Sequence, residues 1–222
     1  TVTYSSGTTA DSFFQGRRYI NTSTGSLKNT TISLRLKAFS VSMWNRFKTT
    51  SVCVILAQSI TQTTNATLYI GSRGNGAYFL GFHNNDLECG TGVPGNPTSY
   101  PGDINTWVHM VYVVLPNYNR RIYRNGVLIS TDNNTSEFGY TGDLSFNSRY
   151  WNGNAYVNMD VSDLRIYTVG LSATDVATLY ASYSNIVTSD NYSVNFANTS
   201  KVFVNGSSKT VNGIYGIYTG ET

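Results

Sequence analysis

The chain has 222 residues, only 12% of them charged, and 15 Lys and Arg against 12 Asp and Glu leave a formal net charge of +3. Spread over short pairs such as Arg17-Arg18 and Arg120-Arg121, that excess is too weak a field to call for nucleic acid as a partner. The chain has no apolar run of the roughly 18 residues a spanning helix needs, so no membrane insertion is expected.

A chain of this length suits one main domain, and its 17 Tyr with abundant Thr, Ser, Asn and Gly are the residues of pleated strands and of the turns between them. In chain order, short β-forming runs separated by turn residues fall at 31–36, 39–44, 52–58, 67–70, 77–82, 107–114, 120–123 and 127–130. Along 39–44, Phe39, Val41 and Met43 share the face that should meet the core. Asn125-Gly126 predicts a two-residue hairpin, because a type I′ turn needs positive φ at both central positions.

A single helix is predicted near Ser172–Tyr183. Ser172 can cap the amide of Asp175, the Asp175 carboxylate can reach back, and Leu171 can staple onto Val176. Val176, Leu179, Tyr180 and Tyr183 then follow helical spacing. Beyond it, runs at 192–196, 201–204 and 211–218 read as further strands. The expected organisation is a domain over 1–183 and a C-terminal β extension over 184–222, packing on or beside it.

Cys53 and Cys89 leave two alternatives open, one disulfide or two buried thiols. Asn-x-Ser/Thr acceptors at Asn21, Asn29, Asn65, Asn134, Asn191, Asn198 and Asn205 would fit a secreted surface. The polar start at Thr1, with no initiating Met and no charged-then-apolar leader, reads as a piece of a longer polypeptide.

Four segments in order carry a family resemblance: Phe39-Ser40-Val41-Ser42-Met43-Trp44; 105–112 (Asn-Thr-Trp-Val-His-Met-Val-Tyr); 121–128 (Arg-Ile-Tyr-Arg-Asn-Gly-Val-Leu); and 161–167 (Val-Ser-Asp-Leu-Arg-Ile-Tyr) leading into the helix at 171–180. Together they resemble the laminin G-like, concanavalin A-like lectin and glucanase superfamily. The resemblance implies an all-β jelly-roll sandwich of two antiparallel sheets with one short helix, whose rim loops often bind sugars and sometimes calcium. The fold hosts lectins, adhesion modules, glycanases and lyases alike, so it does not fix function. The Asn/Thr/Tyr-rich, Glu-poor composition also resembles virion proteins of large algal DNA viruses, and an extracellular or virion-surface location is the expectation.

For catalysis, a retaining glycanase needs two carboxyl groups about 5–5.5 Å apart, and Asp86 and Glu88 are the alternating pair that could share a strand face. A lyase needs a base and groups that neutralise a uronate; His83, beside Asn84 and Asn85, is the candidate, against a plain loop role. His109 alternates with Trp107 and Val111 and reads as a satisfied, half-buried histidine. For binding, sugars need aromatic faces with amides beside them. Arg149, Tyr150, Trp151 and Asn152, with Tyr100 and Tyr118, offer such a platform if their segments meet; otherwise Trp151 caps the core. Asp163, matching a family aspartate, and Asp11 are candidate ligands for a structural calcium. The favoured reading is a polysaccharide- or glycan-binding module of a longer extracellular or virion protein. The alternative is a cell-wall polysaccharide-degrading enzyme, a lyase or a glycoside hydrolase.

Overall fold

The computed structural model describes residues 2–4, 8–14, 17–22, 27–35, 37–58, 67–137, 139, 142–147 and 158–183, with short strands beyond them. Fourteen strands build a sandwich: β1 (Val2–Tyr4), β2 (Thr8–Phe14), β3 (Arg17–Thr22), β4 (Leu27–Asn29), β5 (Phe39–Phe47), β6 (Cys53–Gln58), β7 (Leu68–Ser72), β8 (Tyr78–Gly81), β9 (Asp86–Glu88), β10 (Val108–Val114), β11 (Arg120–Arg124), β12 (Val127–Thr131), β13 (Leu144–Phe146) and β14 (Met159–Tyr167). One seven-stranded sheet runs β1-β4-β13-β6-β7-β8-β9 and the other β12-β11-β10-β5-β14-β3-β2, with every pairing antiparallel. The expected two-sheet, all-β jelly roll is therefore what forms.

The core between the sheets follows from alternation along each strand. Phe39, Val41, Met43 and Phe47 of β5, with Val108, Met110, Tyr112 and Val114 of β10, face Leu68 and Ile70 of β7 and Tyr78 and Leu80 of β8 across one buried cluster. Strand β10 is apolar on both faces because its outer face is covered too. Val111 and Val113 pack with Tyr123 and with Val176 of the helix α1 (Ala173–Ala181). A strand buried on both sides reads as a continuous apolar run. The predicted capping box closes α1: the Ser172 hydroxyl accepts from the Asp175 N–H at 3.1 Å, and the Asp175 carboxylate accepts from the Ser172 N–H at 3.0 Å.

The Asn125-Gly126 hairpin is as expected, with φ of 49° and 78° at the two positions. The predicted strand at 31–36 does not form. The Asn29 side-chain oxygen accepts from the N–H groups of Thr31 and Ile32 at 2.9 and 2.8 Å, a local turn that ends β4 and diverts the backbone from the ladder. Leu34 still inserts into the core, its N–H held at 2.8 Å by the Gln58 side chain.

The disulfide alternative is excluded. Cys53 pairs with Ser72 and Ser72 with Tyr78, and Cys89 donates its N–H to the Tyr78 carbonyl, so three strand spacings separate the cysteines. At about 4.8 Å per strand that is roughly 14 Å, twice the reach of a disulfide. Both are buried free thiols, and burial pushes the Cys89 thiol up to about 11.

Four further strands, β15 (Val194–Asn195), β16 (Ser200–Val204), β17 (Ser207–Val211) and β18 (Ile214–Tyr215), form two separate two-stranded ladders. Among the described residues no helix is long and apolar enough to cross a membrane.

Candidate functional site: an asparagine-rich rim

Strands β8 and β9 are joined by a tight turn closed by a Phe82 N–H to Asn85 carbonyl bond at 2.9 Å. His83 and Asn84 at its tip both have φ of 55°, the left-handed geometry of a type I′ turn, for which Asn and Gly are the preferred residues. One buried residue fixes this tip. Arg120, at the start of β11 and only 2% exposed, donates to both the carbonyl and, at 2.9 Å, the side-chain oxygen of Asn85. The same guanidinium donates to the Leu80 carbonyl at 3.3 Å and to the Asp132 carboxylate at 3.0 Å, and lies 4.9 Å above the Phe82 ring. A planar five-donor fork is suited to holding several acceptors at fixed angles.

The network continues through amides. The Asn85 amide donates to the Asn134 side-chain oxygen at 2.9 Å, and the Asn134 amide donates to the carbonyls of Tyr118 and Ser136. Tyr118 itself is left-handed, with φ of 65°, and its hydroxyl donates to the Glu137 carboxylate at 2.9 Å. That bond, with the nearby negative charge, raises the Tyr118 phenol above its usual range. The amide nitrogen of the Asn134 acceptor is thus committed to two carbonyls, and a glycan attached there would dismantle the rim.

Three loops therefore meet at one end of the sandwich: 82–85, 116–119 and 132–137. Two non-glycine side chains, His83 and Tyr118, stand on strained backbone beside amides and a carboxylate. Strain of this kind, of order 1–3 kcal/mol per residue, survives only where surrounding bonds over-determine it. Nothing in the sequence marks Arg120, Asn85, Asn134 and Glu137 as members of one network, because their partners lie far along the chain.

On the outer face of the first sheet the rim runs into the surface carrying Asp86 and Glu88. His83 packs edge-on against Tyr69, with ring centroids 6.1 Å apart, and Tyr69, Val54, Ala57 and Phe79 form a small buried cluster there. Asp86 and Glu88 do share one face, as expected. Both bond to Arg73, whose guanidinium lies 4.4 Å above the Phe79 ring. Opposite Asp86 stands Gly81, where a Cβ would lie 2.0 Å from the Asp86 carboxylate and oblige that side chain to move. An arginine thus stands between the two carboxylates and bonds to both.

The other candidates fall elsewhere. Tyr100 belongs to the opposite end: its N–H bonds to the Gly76 carbonyl, and Arg124, paired with Asp103, lies 4.5 Å over its ring. Tyr100 precedes β10 and Tyr118 follows it, so a strand roughly 20 Å long separates them and they do not share one platform. Arg149, Tyr150, Trp151 and Asn152 lie outside the described residues. Their flanking residues are at the Tyr100 end, where Asn147 donates to the Ile55 carbonyl and Lys48 donates to the Asn158 carbonyl. Trp44 is buried, whereas Trp107 stands half-exposed under the Arg46 guanidinium, 5.0 Å away.

Asp163 does not fit a calcium site. Its two carboxylate oxygens accept from Arg165 at 2.9 and 2.7 Å, and one also accepts the Tyr183 hydroxyl, so a guanidinium already supplies the positive charge. Asp11 lies on β2, and β3 stands between that strand and β14. Among the described residues no group of three or more His, Cys, Asp or Glu could hold a metal ion.

His109 departs from its expected half-buried state. It is fully buried, and its Nε2 lies 2.9 Å from the Ser42 hydroxyl. The pair has the spacing of a nucleophile and base, but it is sealed beneath Trp44, Tyr180 and Tyr183 and no substrate reaches it.

No curated protein sequence matches the chain. Among solved structures, a botulinum neurotoxin type C structure is 18% identical with a TM-score of 0.61, the match covering 88% of this chain and 52% of that one. The binding domain of botulinum neurotoxin DC in complex with SialylT is 19% identical with a TM-score of 0.57, covering 88% and 52%. The same domain in complex with rat synaptotagmin II is 18% identical at 0.56, covering 96% and 58%. The chain thus spans about half the length of these structures, and at such identities the likeness is one of fold. Residues 15–177 match the profile of the concanavalin A-like lectin/glucanases superfamily, and with nearly three quarters of its length inside that match the chain belongs to this superfamily.

Proposed function

We propose that the chain is a glycan-binding module, part of a longer surface-displayed polypeptide, and that it engages sugar at the rim built by 82–85, 116–119 and 132–137. The observation that carries this reading is the cost of the rim's construction. A buried arginine and two asparagines hold His83, Asn84 and Tyr118 in left-handed geometry, and the loops present an aromatic ring, amides and the Glu137 carboxylate together. Flat aromatic faces with fixed amide and carboxylate partners are what sugar rings and hydroxyls require, and fixing them beforehand lowers the entropy lost on binding.

The fold neighbours support a recognition role. The type C neurotoxin depends on two ganglioside molecules to get into cells, and the DC domain has been crystallised with SialylT and with synaptotagmin II. Because nearly half of each neighbour lies outside the match, those ligands do not locate a site in the half that does match.

The test is retention of the full 222-residue chain on immobilised cell-wall and surface polysaccharides, read beside the release of new reducing or unsaturated ends. The expected result is retention without cleavage, reduced at least ten-fold by Tyr118→Ala and by His83→Asn. His83→Asn is the sharper probe, since Asn suits the type I′ position and should leave folding intact. Retention unchanged in both variants would place the site elsewhere. Turnover abolished by Glu88→Gln would replace binding with catalysis.

A further inference from the structure

The C-terminal end of α1 is fastened to the outer face of the second sheet by a cluster that the glycan reading does not use. His109 lies at its centre. Tyr180 stacks on the imidazole with centroids 5.7 Å apart and planes 27° from parallel, Trp44 is tilted against it at 5.3 Å, and Tyr183 closes the remaining side at 5.2 Å. Tyr183 also meets Trp44 edge-on at 5.4 Å and donates its hydroxyl to Asp163, which Arg165 grips with two bonds. The Asn125 side-chain oxygen holds the His109 backbone N–H at 3.0 Å, and Gly126 lets Tyr180 approach, since a Cβ there would lie 3.1 Å from its ring.

Within this cage Nε2 is used by Ser42 and Nδ1 meets no hydrogen-bonding partner. The facing groups from every packed element are uncharged on β5 (Ser42, Trp44) and on α1 and its end (Tyr180, Tyr183). On β14 they are the charges of Asp163 and Arg165, already paired with each other. Among the described residues no further charged group faces the ring.

We propose that His109 is the pin of an acid-sensitive latch: on protonation, α1 lifts from the sheet while the sandwich persists. The neutral ring is what the cage accommodates. Burial, with a smaller opposing pull from Asp163 and a further push from Arg165, lowers the docked imidazole from 6.5 to about 4. An undocked ring regains its ordinary affinity for protons, so the undocked form binds the proton more tightly. Docking is therefore fully favoured above pH 6.5, weakens as pH falls through that value, and levels off below about 4. The difference of some 2.5 units is on the order of 300-fold in the docking equilibrium. The remainder of the sandwich keeps its own core, and α1 adds one buried side chain, Val176, to the satellite cluster outside it.

The experiment is hydrogen exchange on the full chain from pH 7.5 to pH 4, corrected for intrinsic rates, comparing wild type with His109→Phe. The result expected is loss of protection in 173–183 below pH 6.5 while β5 and β10 stay protected, and no such loss in His109→Phe. Constant protection of α1 in wild type would overturn the latch. So would simultaneous loss across α1 and the strands, or an unchanged acid response in His109→Phe, which would transfer the effect to Asp163. Should His109→Phe not fold, NMR titration of the wild-type His109 ring decides the matter: a midpoint between about 4 and 6.5 that coincides with loss of the docked α1 signals supports the proposal, and a titration that leaves the α1 signals unchanged overturns it.

Discussion

Replacing Arg120 should separate the rim from the sandwich beneath it. In Arg120→Met the aliphatic stem still packs on Phe82, while every polar contact of the guanidinium is lost: Asp132, the Leu80 carbonyl, and the carbonyl and side-chain oxygens of Asn85. Removing one partner of a buried ion pair costs about 3–5 kcal/mol. Asp132 retains 21% side-chain exposure and recovers part of its hydration, so the ion-pair loss falls near the lower end of that range. The Asn85 carbonyl keeps its bond from Phe82, but the Asn85 side-chain oxygen loses its donor, at about 1 kcal/mol. The sum is about 4 kcal/mol for Met. Lys retains the charge without the fork, and about 2 kcal/mol is expected for it. Urea denaturation at neutral pH measures both, and hydrogen exchange at 82–86 and 116–119 reports the rim. Since the rim is where glycan is proposed to bind, Arg120→Lys should remain folded and yet lose retention. An Arg120→Met variant within about 1 kcal/mol of wild type would refute the claim that this residue holds the loops.

Two other outcomes follow from the geometry. Reducing agent should leave the thermal midpoint unchanged, and Cys53 and Cys89 should react with a thiol reagent only on unfolding, because three strand spacings and burial separate them from each other and from solvent. Ser172→Ala should destabilise the chain by about 1 kcal/mol, and in hydrogen exchange its effect should concentrate in 173–181, since the capping box ties only the first turn of α1.

Much of the fold was written locally. Asn125-Gly126 could take both positive φ values, and the Ser172/Asp175 box signalled the start of α1, so each element was set by neighbours one to three residues away. The strands absent from the predicted runs, β1 to β4, β9, β13 and β14, are mostly short or polar, and several pair with partners far along the chain, as β13 does with β6. The wrong strand at 31–36 shows the converse. Ile32, Leu34 and Leu36 alternate as a strand should, but Asn29 competes for the backbone, and of the first two only Leu34 is buried while Ile32 stays 38% exposed. Sequence periodicity measured the apolar demand without showing that a local polar group would take the amides first. The same limit hid Arg120, whose partners Leu80 and Asn85 are 40 and 35 residues away.

The parity of strands between loops decides which loops share an end. In an antiparallel sandwich each strand carries the chain from one end to the other, so two loops share an end only when an even number of strands separates them. His83 lies between β8 and β9 and Tyr118 between β10 and β11; two strands intervene, and the loops meet. The 132–137 segment follows β12, two strands beyond Tyr118, and joins them. Tyr100 is one strand from Tyr118, so it does not belong to that end. Tyr100 and Tyr118, two members of the anticipated aromatic platform, thus stand at opposite ends. The end where aromatic, amide and carboxylate groups are bonded into one network is the one with His83, Tyr118 and Glu137.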